Sequence, residues 1–375
     1  MFDCIIVGAG AAGGTAAYHL AKQGKSVLVL EKESLPRYKP CNGGVSPAIA
    51  QWFDFTLTPA LSQKITKARL TWKMGDAVEV ELSPSDSISV VQRDVFDHFL
   101  IQQAQKQGAT LQDKTEVIGV EFKGERWQVN TNNGETFLAR YLIAADGANG
   151  EMSKMLGLQE PKRRMAVALE VETSVPDNST VHFEFGTLKN GYIWKFPKPN
   201  GYSLGITYFV GKEPKDLKKI LTDYASQSGL ELSQSQLYEY SLCLWDGDRK
   251  LHTENALLAG ENAGIVDPFT AEGLRPSIFS GLKAAEAINQ ALDGSSDALE
   301  KYTQTIKEEW GVDMAWAQRL AGLFYRVPGI AYKVGVNLPG ATNRMVQILC
   351  GEIRYSQVAE RAIKRLSSKL IPGMG

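Results

Sequence analysis

The opening stretch FDCIIVGAGAAGGTAAYHLAKQGKSVLVLEK, residues 2–32, limits the fold more than any other part of the chain. An unbroken apolar run, FDCIIV, leads into a turn that contains Gly8, Gly10 and Gly13. A helical pattern over Thr15–Gln23 follows, and then a second apolar run, KSVLVLEK. Strand, turn, helix and strand within about 30 residues make a βαβ unit with parallel strands. Gly8 allows the tight turn, and Gly10 lets backbone approach a pyrophosphate. Gly13 lets the helix pack on the strand, so that its positive N-terminus faces the phosphates. Ala11 and Ala12 belong to the same turn. Glu31 ends the second strand at the distance expected of a carboxylate that accepts from ribose hydroxyls. Strand, turn, helix and acid in register predict a dinucleotide cradle, without separating NAD from FAD.

The rest of the 375 residues suffices for a second domain or an elaborated lobe. VQRDVFDHFLIQQAQKQG reads as a helix, with Phe96, Phe99 and Leu100 at helical spacing and Gly108 as its stop. TEVIGVEF and RWQVN read as a hairpin, YLIAADG as a strand, and residues 165–210 as strand-rich. KDLKKILTDYASQSG is helical, as is RPSIFSGLKAAEAINQAL, where Ile278, Leu282, Ala285 and Ile288 share a face. From residue 298 the chain reads as mostly helical, broken at Pro328 and Pro339. The nucleotide-binding elements recur near residues 8, 31, 93, 146 and 261, with strand-rich stretches between them. A discontinuous nucleotide domain (1–65, 91–160 and 250–297) is therefore expected. A β-rich substrate domain (66–90 and 161–249) and a helical C-terminal region (298–375) complete the division.

Charge and cysteines narrow the function classes. The net charge of −1, from 41 basic and 42 acidic residues, argues against nucleic acid held by phosphate neutralisation. Cys4, Cys41, Cys243 and Cys350 form no Cys-x-x-Cys pair, so neither a zinc site nor a disulfide framework is expected. No uncharged apolar run reaches the ~18 residues that span a bilayer. No signal peptide precedes FDCIIV, so the expected compartment is cytoplasmic.

Three further segments separate FAD from NAD. LIAADGA (142–148), with Asp146 and Gly147, resembles the Asp-Gly motif of FAD oxidoreductases and hydroxylases. LLAGENAGIVDPFTAEGLRPSIFSG (257–281), with Glu261, Gly273 and Leu274, resembles their third flavin-binding segment. VQRDVFDHFL (91–100) resembles the Arg-x-x-Phe-Asp helix that places an arginine, here Arg93, on the diphosphate side. YKPCNGG and GYIWKFPKPNGYSLGIT narrow the match. From residue 2 to about 355 the chain resembles the geranylgeranyl reductase family. It departs from the pattern at Gly260-Glu261, for Gly-Asp, and at Ala271-Glu272-Gly273, for Gly-Glu-Gly. Gly150 and Ser153 stand where serine and arginine are usual.

The resemblance implies an α/β fold of the glutathione-reductase-like, hydroxylase type. In it a Rossmann-type FAD-binding domain carries an inserted antiparallel β-sheet substrate domain and a helical C-terminal region. It implies non-covalent FAD with Lys32, Arg37, Cys41, Gly43, Gly44 and Val117 joining the cradle residues. The helix beginning near Arg275-Pro276 would point its N-terminus at the pyrimidine edge of the flavin. Free N–H groups of Gly273 and Leu274 would then stabilise negative charge there. Gly43 and Gly44 let backbone approach an aromatic ring, and Pro40 stiffens the entry. Cys41 would lie beside the reacting alkene, either as a proton source or as packing. Tyr192, Trp194 and Phe196 share one strand face by the two-residue period. With Pro197 and Phe269 they would wall an isoprenoid pocket, and Cys41, Tyr192 and Trp194 are the catalytic candidates.

The expected reaction is reduction of isoprenoid carbon–carbon double bonds by hydride from reduced FAD. A flavin monooxygenase or halogenase and a non-redox flavin-bound cyclase are the alternatives. The electron donor, NAD(P)H or ferredoxin, stays open, since no second glycine fingerprint is present. The mixed apolar and basic stretch 319–340 suggests contact with a membrane surface.

Overall fold

The computed structural model describes residues 1–82, 88–174, 179–336, 340–349 and 353–360. Pro339, Cys350 and residues 361–375 of the expected helical region lie outside the described residues.

Strand β1 (Phe2–Val7) sits inside an eight-stranded sheet, parallel to Thr136–Ala144 on one side and to β2 (Val27–Leu30) on the other. Ala256–Leu258 and Thr110–Gln112 extend the parallel run at the two sides. Cys4, Ile5, Ile6 and Val7 are all buried, as are all four residues of β2. A parallel sheet covered on both faces requires such continuous apolar strands. The hairpin Val117–Lys123 and Arg126–Thr131 joins antiparallel to the first half of Thr136–Ala144.

Helix α1 (Ala11–Lys22) starts four residues before the sequence pattern places it. Gly13 and Gly14 lie inside the helix, where each costs about 1 kcal/mol in propensity relative to alanine. Close packing requires them. A Cβ on Gly13 would lie 1.9 Å from the Gly8 carbonyl oxygen, and one on Gly14 would press on Leu100 at 3.0 Å. Leu100 belongs to α2 (Arg93–Lys106), which packs on α1. The helix Leu274–Leu292 packs on α1 as well, and a Cβ on Gly281 would meet the Ala12 carbonyl oxygen at 2.3 Å.

A seven-stranded sheet forms a second layer. Its order is Ser235–Leu242, Arg164–Glu172, Gly201–Tyr208, Gly191–Lys198, Thr180–Phe185, Lys67–Trp72 and Gly75–Glu81. All its pairs are antiparallel except Thr180–Phe185 with Lys67–Trp72. Alternation divides its faces. Ile193, Leu204 and Ile206 pack with Leu221 of the helix Leu217–Gln227. Tyr192, Trp194 and Phe196 turn the other way, into the main core. Ile88–Val90, expected with the β-rich segment, instead pairs with Gly44–Val45 and Gln63–Ile65 in a small third sheet. That pairing anchors the chain leaving the Cys41 loop.

The helices Ala298–Ile306, Val312–Phe324, Pro328–Gly335 and Ala341–Leu349 follow. Their inner aromatic residues close the core. Tyr325 stacks on Phe209 at 4.8 Å between ring centres, and Phe209 stacks on Tyr192 at 5.5 Å.

Candidate active site

The cradle is built at the ends of β1 and β2. Gly8 has a φ of 102°, a value open to glycine, and a Cβ there would strike the Ala145 carbonyl oxygen at 2.4 Å. Gly10 differs. The nearest atom to a Cβ on it is Arg37 Nη2 at 3.6 Å, so the chain leaves the space above Gly10 free. Gly10 caps α1 without a side-chain bond, and the first turn carries no acid, so no side chain among the described residues caps the helix N-terminus. Glu31 is buried at the end of β2, where Oε2 accepts from the Ala9 N–H at 2.8 Å and Oε1 from Glu33 N–H at 3.1 Å.

A charge cluster frames the cradle mouth. Arg93 grips Asp97 one helical turn on, with Nε to Oδ1 at 2.9 Å and Nη2 to Oδ2 at 2.8 Å. Arg37 adds a bond to Asp97 at 3.1 Å and an ion pair with Glu31 at 3.5 Å. Burial opposes charge on Asp97, but Arg93 and Arg37 outweigh it and hold the carboxyl below the usual carboxylate range. On the far side Asp146 accepts from the Asn262 side chain at 2.5 Å and from the Met152 N–H at 3.0 Å. Ser153 donates to Asn262 in turn. A Cβ on Gly150 would lie 2.0 Å from the Asp146 carboxylate.

Two adjoining cavities run from this mouth and share Gly10, Lys39, Pro40, Ala145, Gly147 and Glu261. The larger, about 650 Å³, is lined by Glu31, Lys32, Arg37, Val117 and Asp146. The narrower one, about 90 Å³, brings Cys41, Trp194, Gly273 and Leu274 together with Ala11, Ala12 and Arg93. The N–H groups of Gly273 and Leu274 find no acceptor among the described residues. A glycine cradle at a helix N-terminus and two adjoining cavities that reach the unpaired N–H groups of Gly273 and Leu274 fit a dinucleotide that carries a ring system. FAD is such a ligand.

The loop 35–44 closes the narrow cavity. Lys39 pairs with Glu261 at 3.4 Å across it. The Cys41 Sγ accepts from the Gly43 N–H at 3.3 Å, and Asn42 Oδ1 accepts from the Gly44 N–H at 2.9 Å. Lys198 Nζ reaches the carbonyl oxygens of Val91 at 3.2 Å and Cys41 at 3.5 Å, tying the loop to the sheet. Gly43 carries a backbone constraint besides the expected approach to a ring. Its φ is 76°, and a Cβ would strike the Val91 carbonyl oxygen at 2.1 Å. A side chain there is thus blocked by the protein's own backbone. Gly44 faces Phe196, whose ring would lie 3.0 Å from a Cβ.

The remaining pocket candidates separate. Trp194 faces the narrow cavity, while Tyr192 and Phe196 border a smaller one beside it. The Tyr192 hydroxyl donates to the Thr270 carbonyl at 2.6 Å, and burial pushes its phenol well up. Phe269 is buried against Phe324, Tyr325 and Tyr355. Neither Phe269 nor Pro197 lines the cavities described here. Tyr240, Lys39, Asp97 and Asn262 are site residues that sequence reasoning missed. Tyr240 lines both main cavities from the strand Ser235–Leu242, where SQLYEYSL carries an alternation that could have revealed it.

Comparisons with known proteins agree with this geometry. The FAD binding domain family matches residues 1–309. An uncharacterised protein of Methanosarcina barkeri is 31% identical, over 78% of this chain and 75% of that protein. A digeranylgeranylglycerophospholipid reductase of Methanococcus vannielii is 30% identical, over 82% of this chain and 83% of the relative. Among solved structures, a geranylgeranyl bacteriochlorophyll reductase-like protein of Thermoplasma acidophilum has a TM-score of 0.77 at 24% identity, covering 86% of this chain and 87% of that one. A flavin-dependent brominase shares the fold with a TM-score of 0.70 at 19% identity, over 98% of this chain and 99% of that one. The chain therefore belongs to the FAD binding domain family and, within it, to the geranylgeranyl reductases.

Proposed function

We propose that this chain is an FAD-dependent oxidoreductase that reduces carbon–carbon double bonds of a geranylgeranyl-type isoprenoid chain. The observation that carries the reading is the convergence of Cys41, Trp194 and the N-terminus of Leu274–Leu292 on one cavity continuous with the cradle. Bound FAD supplies the hydride. Gly10 and the α1 N-terminus receive the diphosphate, and Glu31 receives the adenosine ribose. The unpaired N–H groups of Gly273 and Leu274 favour negative charge at their end of the cavity. Cys41 and Trp194 hold the alkene, and the aromatic sheet face excludes water from it. Tyr192 shapes the wall with its hydroxyl already committed to Thr270.

NAD(P)H or ferredoxin would recharge the flavin. The reading also includes contact with a membrane surface, where such substrates dissolve. Its support is a stripe of exposed apolar residues, Leu323, Val327, Ile330 and Val334, flanked by exposed Arg319, Arg326 and Lys333. No helix among the described residues is long and apolar enough to cross a membrane.

The test is anaerobic mixing of prereduced protein with geranylgeranyl diphosphate and with geranylgeranylated glycerolipids. Reoxidation of the flavin by an alkene without oxygen is the expected result. Product that forms only when oxygen is admitted would select a monooxygenase or halogenase instead.

A further inference from the structure

One carboxyl in the narrow cavity has no part in the reading above. Glu272 lines this cavity together with Cys41 and Trp194. It also lines the small neighbouring cavity bounded by Asn42, Gly44, Tyr192 and Phe196. Its two oxygens have different surroundings. Oε1 accepts from the Arg275 N–H at 2.7 Å. Oε2 is enclosed and has no hydrogen-bond partner among the described residues. The Arg275 Nε forms an ion pair with Oε2 at 3.6 Å, longer than a hydrogen bond, and the guanidinium lies over the Trp310 ring at 5.1 Å.

Burial pushes the Glu272 carboxyl up, against the pull of Arg275, and Asp267 nearby adds to the rise. Asp267 is itself held by the Tyr355 hydroxyl at 2.7 Å and by the N–H groups of Phe269 at 2.7 Å and Thr270 at 3.0 Å. Other elements face the same space with Lys39 and Cys41 from the loop, Arg93 from α2, Tyr192 and Tyr240 from the sheet, and Glu261 from its turn. When this acid is neutral and Oε1 accepts from Arg275, its proton sits on Oε2, the oxygen without a hydrogen-bond donor.

We propose that Glu272 is the proton donor in alkene reduction. The proposal rests on the reductase reading. One alkene carbon accepts the hydride and forms a C–H bond as the π bond breaks. The π electrons take the proton from Glu272 Oε2 at the other carbon, and the O–H bond breaks. The resulting carboxylate is stabilised by the Arg275 N–H, the nearby guanidinium and the helix N-terminus. Water entering through the cavity mouth restores the proton. Cys41 then orients the alkene and is not consumed.

Glu272→Gln tests this, since the amide keeps an acceptor for Arg275 and loses the acid. In anaerobic stopped-flow of the prereduced holoenzyme with a prenyl substrate, reoxidation should slow about 10²–10⁴-fold. FAD content and reduction by dithionite should match the parent. The parent rate should fall tenfold per pH unit above the raised pKa of the acid, and the variant should lack that limb. Reoxidation of Glu272→Gln at the parent rate overturns the proposal. If Glu272→Gln loses FAD, Glu272→Asp is read instead. Partial activity that keeps the parent's alkaline limb supports the donor, and loss of the limb overturns it.

Infrared spectra of the flavin-free protein at neutral pH give a readout independent of turnover. A neutral carboxyl band present in the parent and missing from Glu272→Gln supports the proposal. Identical spectra overturn it. A parent that no prenyl compound reoxidises would sink the reductase reading, and the infrared comparison would still decide the state of the carboxyl.

Discussion

Asp97 carries the electrostatics of the cradle mouth in one side chain. It is fully buried and bonded to two arginines, Arg93 and Arg37. Removing one partner from a buried pair costs about 3–5 kcal/mol, because the remaining charge stays unpaired. Asp97→Asn should lower stability by that order in urea titration and weaken FAD binding. The pH dependence has a definite sign. The folded pKa lies below the unfolded one, so the contribution of Asp97 is present above the ordinary carboxylate range. It is lost as pH falls through the lower folded value. Acid titration of the parent should therefore show a stability loss that Asp97→Asn lacks. Cys41→Ala leaves the cradle intact and should keep FAD. If the thiol only orients the alkene, stopped-flow should show about a tenfold slowing or less, below the range usual for a lost acid. Gly43→Val should act more severely, since the Val91 carbonyl blocks its side chain and the φ is positive. It should lose bound FAD and soluble yield together, measured by absorbance and expression.

At the scale of elements, periodicity was a good guide and close contact was not. The β1–α1–β2 unit, the hairpin at 117–131 and the split faces of Gly191–Lys198 all follow from spacing alone. The first turn of α1 did not, because Gly13 and Gly14 carry no helical signal and are helical only where β1 and α2 press on them. Ile88–Val90 is too short to announce its partner, and it left the β-rich segment for the strand after the Cys41 loop. The helix pair Val312–Phe324 and Pro328–Gly335 has two opposed faces. Phe324, Tyr325 and Tyr332 are buried, while Leu323 and Ile330 are about two-thirds exposed at 65% and 67%. Exposed apolar residues beside basic ones match anionic interfaces. Flotation with anionic liposomes at low salt should therefore recover the protein, and raised salt should reduce the bound fraction. Ile330→Asp with Leu323→Asp should abolish flotation without changing anaerobic turnover of a detergent-dispersed substrate.

Side chains join the second sheet to the Cys41 loop, among them Lys198 with the Cys41 carbonyl and Glu170 with the Tyr38 hydroxyl, while Lys39 pairs with Glu261 across the cavity. A ligand that fills such a cavity stabilises the folded state by mass action, about 2.7 kcal/mol at a hundredfold excess over Kd. Stripping FAD should lower the thermal midpoint, and adding it back should restore it. Gly10→Val should fold without responding to FAD, because a Cβ there meets only side-chain ends at 3.6 Å or more while the side chain occupies the ligand's approach. The sequence by itself determined the cradle, its acid, the FAD family and the strand face of Tyr192, Trp194 and Phe196. Each of these depends on local geometry: a turn, a spacing of two or of 3.6 residues, or a motif read within one segment. Only the tertiary structure decided that Glu272 and Tyr240 line the same cavity as Cys41, because they come from segments far apart in the chain. It also decided that Phe269 is core while Trp194 faces the cavity, since both are aromatic in apolar surroundings and differ only in what packs against them. The direction in which two carboxyls are shifted was decided there as well. The carboxyls of Asp97 and Glu272 are chemically alike in sequence. Two arginines hold Asp97 below the usual carboxylate range, while burial pushes Glu272 up against the pull of Arg275.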